Sequence, residues 1–229
     1  MPEVPVLTID GPSGAGKGTV SRAAAKALGW RLLDSGALYR LVALAGRRAG
    51  VALDDAPRLS KLAEAFDIRF GSGPTGEEIV WLEGRDVTLD IRTEEAGNDA
   101  SRVAALPAVR AALLERQRRF AVPPGLVADG RDMGTVVFPG ARVKIFLTAS
   151  PQERALRRHK QLKEKGVTAN LAALSLEIAE RDRRDITRSA SPLVASADAV
   201  LLDTTGMSVD AVVDRVLEIA RGRLSPEYL

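Results

Sequence analysis

Apolar residues recur along this chain in two rhythms. Short, mostly apolar runs at 4–9, 30–33, 126–128, 143–147 and 199–202 have the length and β-rich character of strands buried on both faces. Between them lie longer segments at 17–28, 36–48, 93–106, 108–120, 151–165, 171–188 and 208–221 that read as helices. In the first of these Val20, Ala24 and Leu28 share one face. Gly29 and Gly50 stand where the first two helices must end, and Pro107 divides the third from the fourth. Strands alternating with helices predict a doubly wound α/β fold around a parallel, five-stranded central sheet.

The middle of the chain departs from this rhythm. Residues 67–70, 79–82 and 86–89 are short strand-like runs, punctuated by Gly71, Ser72, Gly73, Pro74, Gly76 and Gly84. They predict a small antiparallel β patch. Pro123-Pro124-Gly125 reads as a rigid turn rather than a linker, and no repeat or low-complexity segment is present. The expectation is a single domain over 1–229, with an insert at about 60–105 and a helical pair at about 154–188.

Composition narrows the chemistry. The 229 residues contain no cysteine, which excludes disulfides, thiolate zinc sites and a thiol nucleophile. The one histidine, His159, cannot build a histidine metal cluster and is expected to be an exposed residue without a chemical role. No run is long and apolar enough to cross a bilayer, and the first ten residues carry no leader pattern, so a cytoplasmic protein is expected. The net charge is only +3, but it is unevenly placed. Ten Lys/Arg against five Asp/Glu between Arg154 and Arg188 leave +5 there and −2 elsewhere, which points to a local anionic partner.

The strongest single motif is Gly11-Pro12-Ser13-Gly14-Ala15-Gly16-Lys17-Gly18-Thr19. It falls between a predicted strand and a predicted helix. Glycines let successive backbone N–H groups turn inward around phosphate oxygens, the helix adds the positive end of its dipole, and Lys17 adds a point charge. The hydroxyl comes one place later than in the simplest phosphate loop, because Gly18 intervenes. Gly18 or Thr19 then lies beside the metal–phosphate unit. The Lys17-Gly18-Thr19 ending resembles nucleoside monophosphate kinases more than GTPases, and the Asn-Lys-x-Asp that reads guanine is absent.

Two further motifs follow strands at the edge where α/β sheets place ligands. Asp34-Ser35-Gly36 precedes Tyr39 and Arg40, of which Arg40 faces the cleft if Ser35 does; the alternative is a core tyrosine and a surface arginine. Asp129-Gly130-Arg131-Asp132-Met133-Gly134-Thr135 follows a buried strand. There Asp129 occupies the position of a carboxylate that orients Mg²⁺ directly or through water. Arg131 can grip a phosphate with two bonds, and Asp132 can accept from the amino group of a base. The arginines of the basic pair, Arg154, Arg157 and Arg158 and then Arg181, Arg184 and Arg188, lie on adjacent helical turns. They read either as a lid over reacting phosphates or as a solvated, ion-paired surface.

Together these segments resemble the bacterial cytidylate kinases. The resemblance is carried by 9–19, 33–40, 128–139 and Glu-Arg-Asp-x-Arg-Asp-x-x-Arg at 180–188, in family order over nearly the whole chain. It implies a P-loop NTPase three-layer sandwich with an acceptor-binding insert and a lid, and Mg²⁺-dependent transfer of the ATP γ-phosphoryl group to CMP or dCMP. It further implies that Ser35, Arg40, Arg131 and Arg188 hold the acceptor phosphate. Ser101, Arg110 and Asp132 would read the cytosine edge, and Arg181 and Asp185 would reach the ribose or its phosphate. Arg157 and Arg158 would lie over the donor phosphates.

Two other readings compete. One is a kinase of the same architecture for AMP, UMP or shikimate, against which the insert and Ser101, Arg110 and Asp132 speak. The other is a nucleic-acid-binding protein using the basic helices, which lacks an aromatic stacking platform. The expectation is therefore a monomeric enzyme of small-molecule substrates, with no nucleic-acid or membrane partner.

Overall fold

The computed structural model describes residues 4–73, 78–164, 166, 168–225 and 228. Pro74 and Gly76 of the expected β patch, and Lys165, the last residue expected in the first charged helix, lie outside the described residues. In chain order the elements are β1 (Val6–Asp10), α1 (Lys17–Leu28), β2 (Arg31–Asp34), α2 (Ser35–Arg48), α3 (Ala56–Ala65), β3 (Ile68–Ser72), β4 (Glu78–Leu82), β5 (Arg85–Asp86), α4 (Glu94–Val103), α5 (Pro107–Arg118), β6 (Leu126–Gly130), β7 (Val143–Thr148), α6 (Pro151–Glu164), α7 (Leu171–Thr187), β8 (Val200–Asp203) and α8 (Val209–Arg223).

The chain forms two compact units. One comprises the residues up to Asp34 together with those from Gln117 onward; the other is Ser35–Arg116. In the first unit the predicted five-stranded sheet has the order β2-β6-β1-β7-β8, with every pairing parallel. Every residue of β1 and of β6 is buried, as a strand covered on both faces requires. Leu7, Ile9, Val127, Val143, Ile145 and Leu147 meet Val20 and Ala24 of α1 and Val212 and Val216 of α8 in one core. The register sets three carboxylates along the carboxyl edge. Asp34 and Ile9 both lie opposite Asp129, and Asp10 lies opposite Gly130.

The second unit holds α2, α3, α4, most of α5 and the antiparallel sheet β3-β4-β5. Two expectations need correction there. Residues 56–65 form a helix, α3, that the hydrophobic rhythm did not announce. Asp55 caps it by accepting from the Arg58 N–H, Pro57 falls in its first turn, and only Leu59 and Ala63 are buried, too thin a stripe to stand out. The third strand of the patch is only Arg85–Asp86, because Asp86 turns back to accept from both the N–H and the hydroxyl of Thr88, and a 3₁₀ turn follows at Asp90–Arg92.

The first unit adds one unexpected element. Met133–Val137 form a single π-helical turn, the kind of local irregularity that clusters at functional sites. His159 is half-buried on α6 rather than exposed. The Pro123–Pro124 peptide bond is cis.

Candidate functional site

The glycine loop leaves β1 at its carboxyl end. At Gly11 an added Cβ would lie 2.0 Å from the Leu147 carbonyl oxygen of β7, so the loop starts where no side chain fits. Gly14 and Gly16 have φ of +77° and +88°, the left-handed region that glycine enters without strain. Gly16 is the N-cap of α1, no side chain caps it, and the first turn of α1 carries no acidic residue. The helix thus presents unsatisfied N–H groups and the positive end of its dipole to the loop. Ala15 anchors the loop in the core.

Lys17 is buried, and its Nζ donates to the Pro12 carbonyl 2.9 Å away, across the loop it belongs to. Burial pushes the Lys17 pKa down, Arg131 pushes it the same way, and Asp129 opposes them. Asp129, at the end of β6, is pushed up by burial and held back chiefly by Lys17. Each of these buried charges is therefore a main support of the other.

Gly18 faces Asp129: a Cβ there would lie 3.4 Å from Asp129 Oδ2. Thr19, the candidate hydroxyl, is exposed. Among the described residues no three His, Cys, Asp or Glu gather to hold a metal by themselves. Mg²⁺ does not need that, because it keeps several waters and takes one or two carboxylates plus substrate phosphates. A single buried carboxylate beside a side-chain-free position fits such an ion.

The turn after β6 is held by a residue that sequence reasoning passed over. Asp10, the last residue of β1, accepts from the backbone N–H groups of Met133 (2.9 Å) and Gly134 (2.8 Å). Burial raises its pKa to about 6 even though these two bonds favour the anion. One carboxylate thus joins the root of the glycine loop to the turn bearing Arg131 and Asp132.

That turn meets α7. Arg131 Nε donates to Asp185 Oδ2 at 2.9 Å, and its NH1 donates to the Gly130 carbonyl at 3.2 Å. Burial works against the Arg131 charge, but Asp185 outweighs it and holds the guanidinium above its ordinary pKa. Burial likewise raises Asp185, yet Arg131, Arg181 and Arg188 together bring it below the usual carboxylate range. Asp132 and Arg188 are both buried, with NH2 and Oδ1 4.0 Å apart, and Arg188 Nε donates to the Ser191 carbonyl. The charge of Arg181 acts on both Lys17 and Asp185. Lys17, Asp129, Arg131, Asp132, Arg181, Asp185 and Arg188 therefore form one electrostatically connected group.

The two arginines expected over the donor phosphates differ. Arg157 borders the loop: its NH1 lies 3.8 Å from where a Gly16 Cβ would be. It is held by Glu153 (2.8 Å), by the Thr204 hydroxyl (2.9 Å) and by the Thr204 carbonyl (2.5 Å). Arg158 is half-buried, and its NH1 donates to Gln161 Oε1 on its own helix at 3.0 Å.

In the second unit Ser35 begins α2 and is buried. Tyr39, on the same helix, is also buried and lies under the Arg110 guanidinium, 5.5 Å from ring centroid to Cζ. Arg110 NH1 donates to the Ala104 carbonyl at 3.1 Å, and Arg40 NH1 to the Ile91 carbonyl at 2.7 Å. Ser101 is buried on α4. The structure thus brings Tyr39 and Arg110 together, a pairing that no sequence spacing announced.

A strand, glycine loop and helix with a buried lysine, at the carboxyl edge of a parallel sheet, define a P-loop nucleotide-binding protein. Residues 7–222 match the family model described as cytidylate kinase, and the chain belongs to that family. It is 58% identical to a cytidylate kinase of Chromobacterium violaceum over 94% of this chain and 95% of that one. It is 55% identical to a cytidylate kinase of Nitrosococcus oceani, over 96% and 98%, and 56% identical to one of Bordetella bronchiseptica, over 95% of each.

Proposed function

We propose that this protein transfers the γ-phosphoryl group of ATP to CMP or dCMP, giving ADP and CDP or dCDP. A phosphate oxygen of the acceptor attacks the γ phosphorus in line, and the bond to the β–γ bridging oxygen breaks. That oxygen is already anionic near neutral pH, so no strong general base is needed. The protein's work is alignment, charge neutralisation and exclusion of water. The observation that carries the reading is the connected buried group running from Lys17 in the loop to Arg131 in the turn after β6, within a chain of the cytidylate kinase family.

In this reading the N–H groups of Gly11 to Thr19 bind the donor phosphates, and Lys17 neutralises charge on the β and γ groups. Arg157 and Arg158 cover the donor phosphates, while Arg131 and Arg188 bind the acceptor phosphate. Asp132 accepts from the cytosine amino group, and Arg181 and Asp185 serve the ribose or its phosphate. In the second unit Ser35 and Arg40 carry phosphate-binding roles, and Ser101 and Arg110, with Tyr39 beneath it, carry base-reading roles. Mg²⁺ would be held by Asp129, directly or through water, with Thr19 a second candidate. Bound there, it neutralises phosphate charge. The same reading makes the protein a cytoplasmic monomer; among the described residues no helix is long and apolar enough to cross a membrane.

The test is ADP release measured with CMP, dCMP, UMP and AMP as acceptors. CMP and dCMP should be the best substrates. An equal or better rate with AMP overturns the assignment.

A further inference from the structure

One buried arginine outside the roles assigned above joins three separate pieces of the first unit. Arg154, in the first turn of α6, is 5% exposed. Its Nε donates to the Ala149 carbonyl at 3.1 Å, and its NH1 donates to the Ser13 carbonyl of the glycine loop at 3.0 Å. The same NH1 lies 2.6 Å from Asp182 Oδ2 on α7. The loop runs against the root of this side chain: a Cβ on Gly14 would come within 3.0 Å of Arg154 Cβ.

These contacts have a directional consequence. In a trans peptide the C=O and the following N–H point opposite ways. Drawing the Ser13 carbonyl toward Arg154 therefore turns the Gly14 N–H the other way, the orientation a phosphate-binding loop requires of its donors. Asp182 precedes Asp185 by three residues, so the two carboxylates share a face of α7. Asp182 reaches the glycine loop through Arg154, and Asp185 reaches the turn after β6 through Arg131. The other Asp182 oxygen, Oδ1, is buried without a hydrogen-bond partner among the described residues. Asp182 is itself only half-buried, but one buried carboxylate oxygen left unpaired is poor design for stability alone.

We propose that Arg154 and Asp182 are positioning residues that couple the donor loop to α7. Occupation of the loop by the triphosphate then sets the register in which Arg181, Asp185 and Arg188 meet the acceptor, and the acceptor in turn tightens the loop. The inference rests on the assignment of the loop to ATP and of α7 to the acceptor.

Two measurements on Asp182→Asn and Arg154→Lys test it. Asn keeps the shape without the charge, and Lys keeps the charge without the reach to three acceptors. The first measurement is binding of a fluorescent N-methylanthraniloyl ATP with Mg²⁺ and no acceptor present. Affinity should fall about tenfold in both variants, the scale of one charge-assisted contact. The second is bisubstrate kinetics. In the wild-type protein the KM for ATP should fall as CMP rises, and in both variants this dependence should vanish while the Tm stays close to that of the wild type. An apolar pair, Arg154→Met with Asp182→Leu, should fold as well as the wild type and remain uncoupled. Unchanged ATP affinity with coupling intact overturns the proposal, as does a rate loss that merely tracks the folded fraction. If the wild-type protein does not phosphorylate CMP, the function reading fails, and the binding measurement still decides the loop half of this one.

Discussion

Asp10 yields the sharpest quantitative expectation. It ends a fully buried strand, and its carboxylate accepts two backbone N–H bonds from Met133 and Gly134. Even so, burial raises its pKa from 3.8 to about 6, with Asp132 adding to the rise and Lys17 opposing it. The native state therefore holds the Asp10 proton more tightly than the unfolded chain does. The stabilisation this confers is complete below 3.8 and disappears as pH rises through about 6. At 1.36 kcal/mol per pKa unit the loss totals about 3 kcal/mol, of which roughly 2 kcal/mol falls between pH 4 and pH 7.5. At neutral pH the protein is thus less stable for keeping this carboxylate charged.

Asp10→Asn replaces it with a group of the same shape that never ionises. The variant should gain stability over the wild type progressively with pH, by roughly 2 kcal/mol between pH 4 and pH 7.5. Urea unfolding of both proteins at several pH values measures the difference, in which the groups that do not interact with Asp10 cancel, while Lys17, Asp129 and Asp132 respond to the loss of its charge. Asn can accept only one of the two N–H bonds and turns its own N–H₂ toward the other. The turn bearing Arg131 and Asp132 should loosen, and kcat/KM for CMP should fall about tenfold, the effect of a bond worth about 1.4 kcal/mol in the transition state. A stability difference that is flat across pH refutes the burial argument. Wild-type kcat/KM in the variant refutes the positioning role.

Three other substitutions separate chemistry from scaffold. Lys17→Ala should lower kcat by about a hundredfold or more, the scale of losing one preorganised charge contact, while circular dichroism shows an intact fold. Asp132→Ala should chiefly raise the relative rate with UMP against CMP; an unchanged CMP preference in side-by-side assays removes its base-reading role. Gly125→Ala would place a Cβ 2.4 Å from Trp30 Cδ2, so it should lower stability by about 1–3 kcal/mol as an overpacking change. Activity per folded molecule should be unaffected, as a thermal melt beside an active-site titration will show.

The parts of the fold that were legible are those whose signal is local. Each central strand is an apolar run cut off by a charge or a turn, and α1 ends on Gly29 in the left-handed conformation its position demanded. The glycine loop was legible for the same reason, because strand, glycines, lysine and helix follow one another without interruption. What escaped depends on distant partners or on very short elements. Asp10 meets residues more than a hundred positions away, and Arg154 meets Ser13 across a similar gap. The available hint was weak: Asp10 closes a strand that the pattern buries on both faces, and a buried carboxylate needs donors, but Asp203 closes the similar run of β8 and is exposed. The helix α3 had too few buried positions to betray its period, and the π turn at Met133–Val137 has no sequence signature.

Burial of a charge does not by itself mark function, and Lys144 shows why. It is as buried as Lys17, yet its Nζ has three acceptors within reach: the Pro139 carbonyl at 2.6 Å, Asp198 at 3.0 Å and the Ser196 hydroxyl at 3.4 Å. It is the second residue of β7, at the end away from the glycine loop, and its partners are residues of connecting segments that it pins together. Lys17 instead donates to the Pro12 carbonyl of its own loop, and its charge is sustained by an acid, Asp129, that burial itself disfavours. Asp10, Asp129, Arg131 and Asp185 share this mutual dependence. Buried ion pairs of this kind return little net stability, because desolvation offsets most of their attraction. Their concentration at the carboxyl ends of β1 and β6 is therefore hard to explain as scaffold. It follows directly if these elements hold polyanions, because a preformed set of buried charges need not reorganise when phosphate charge shifts between donor and acceptor.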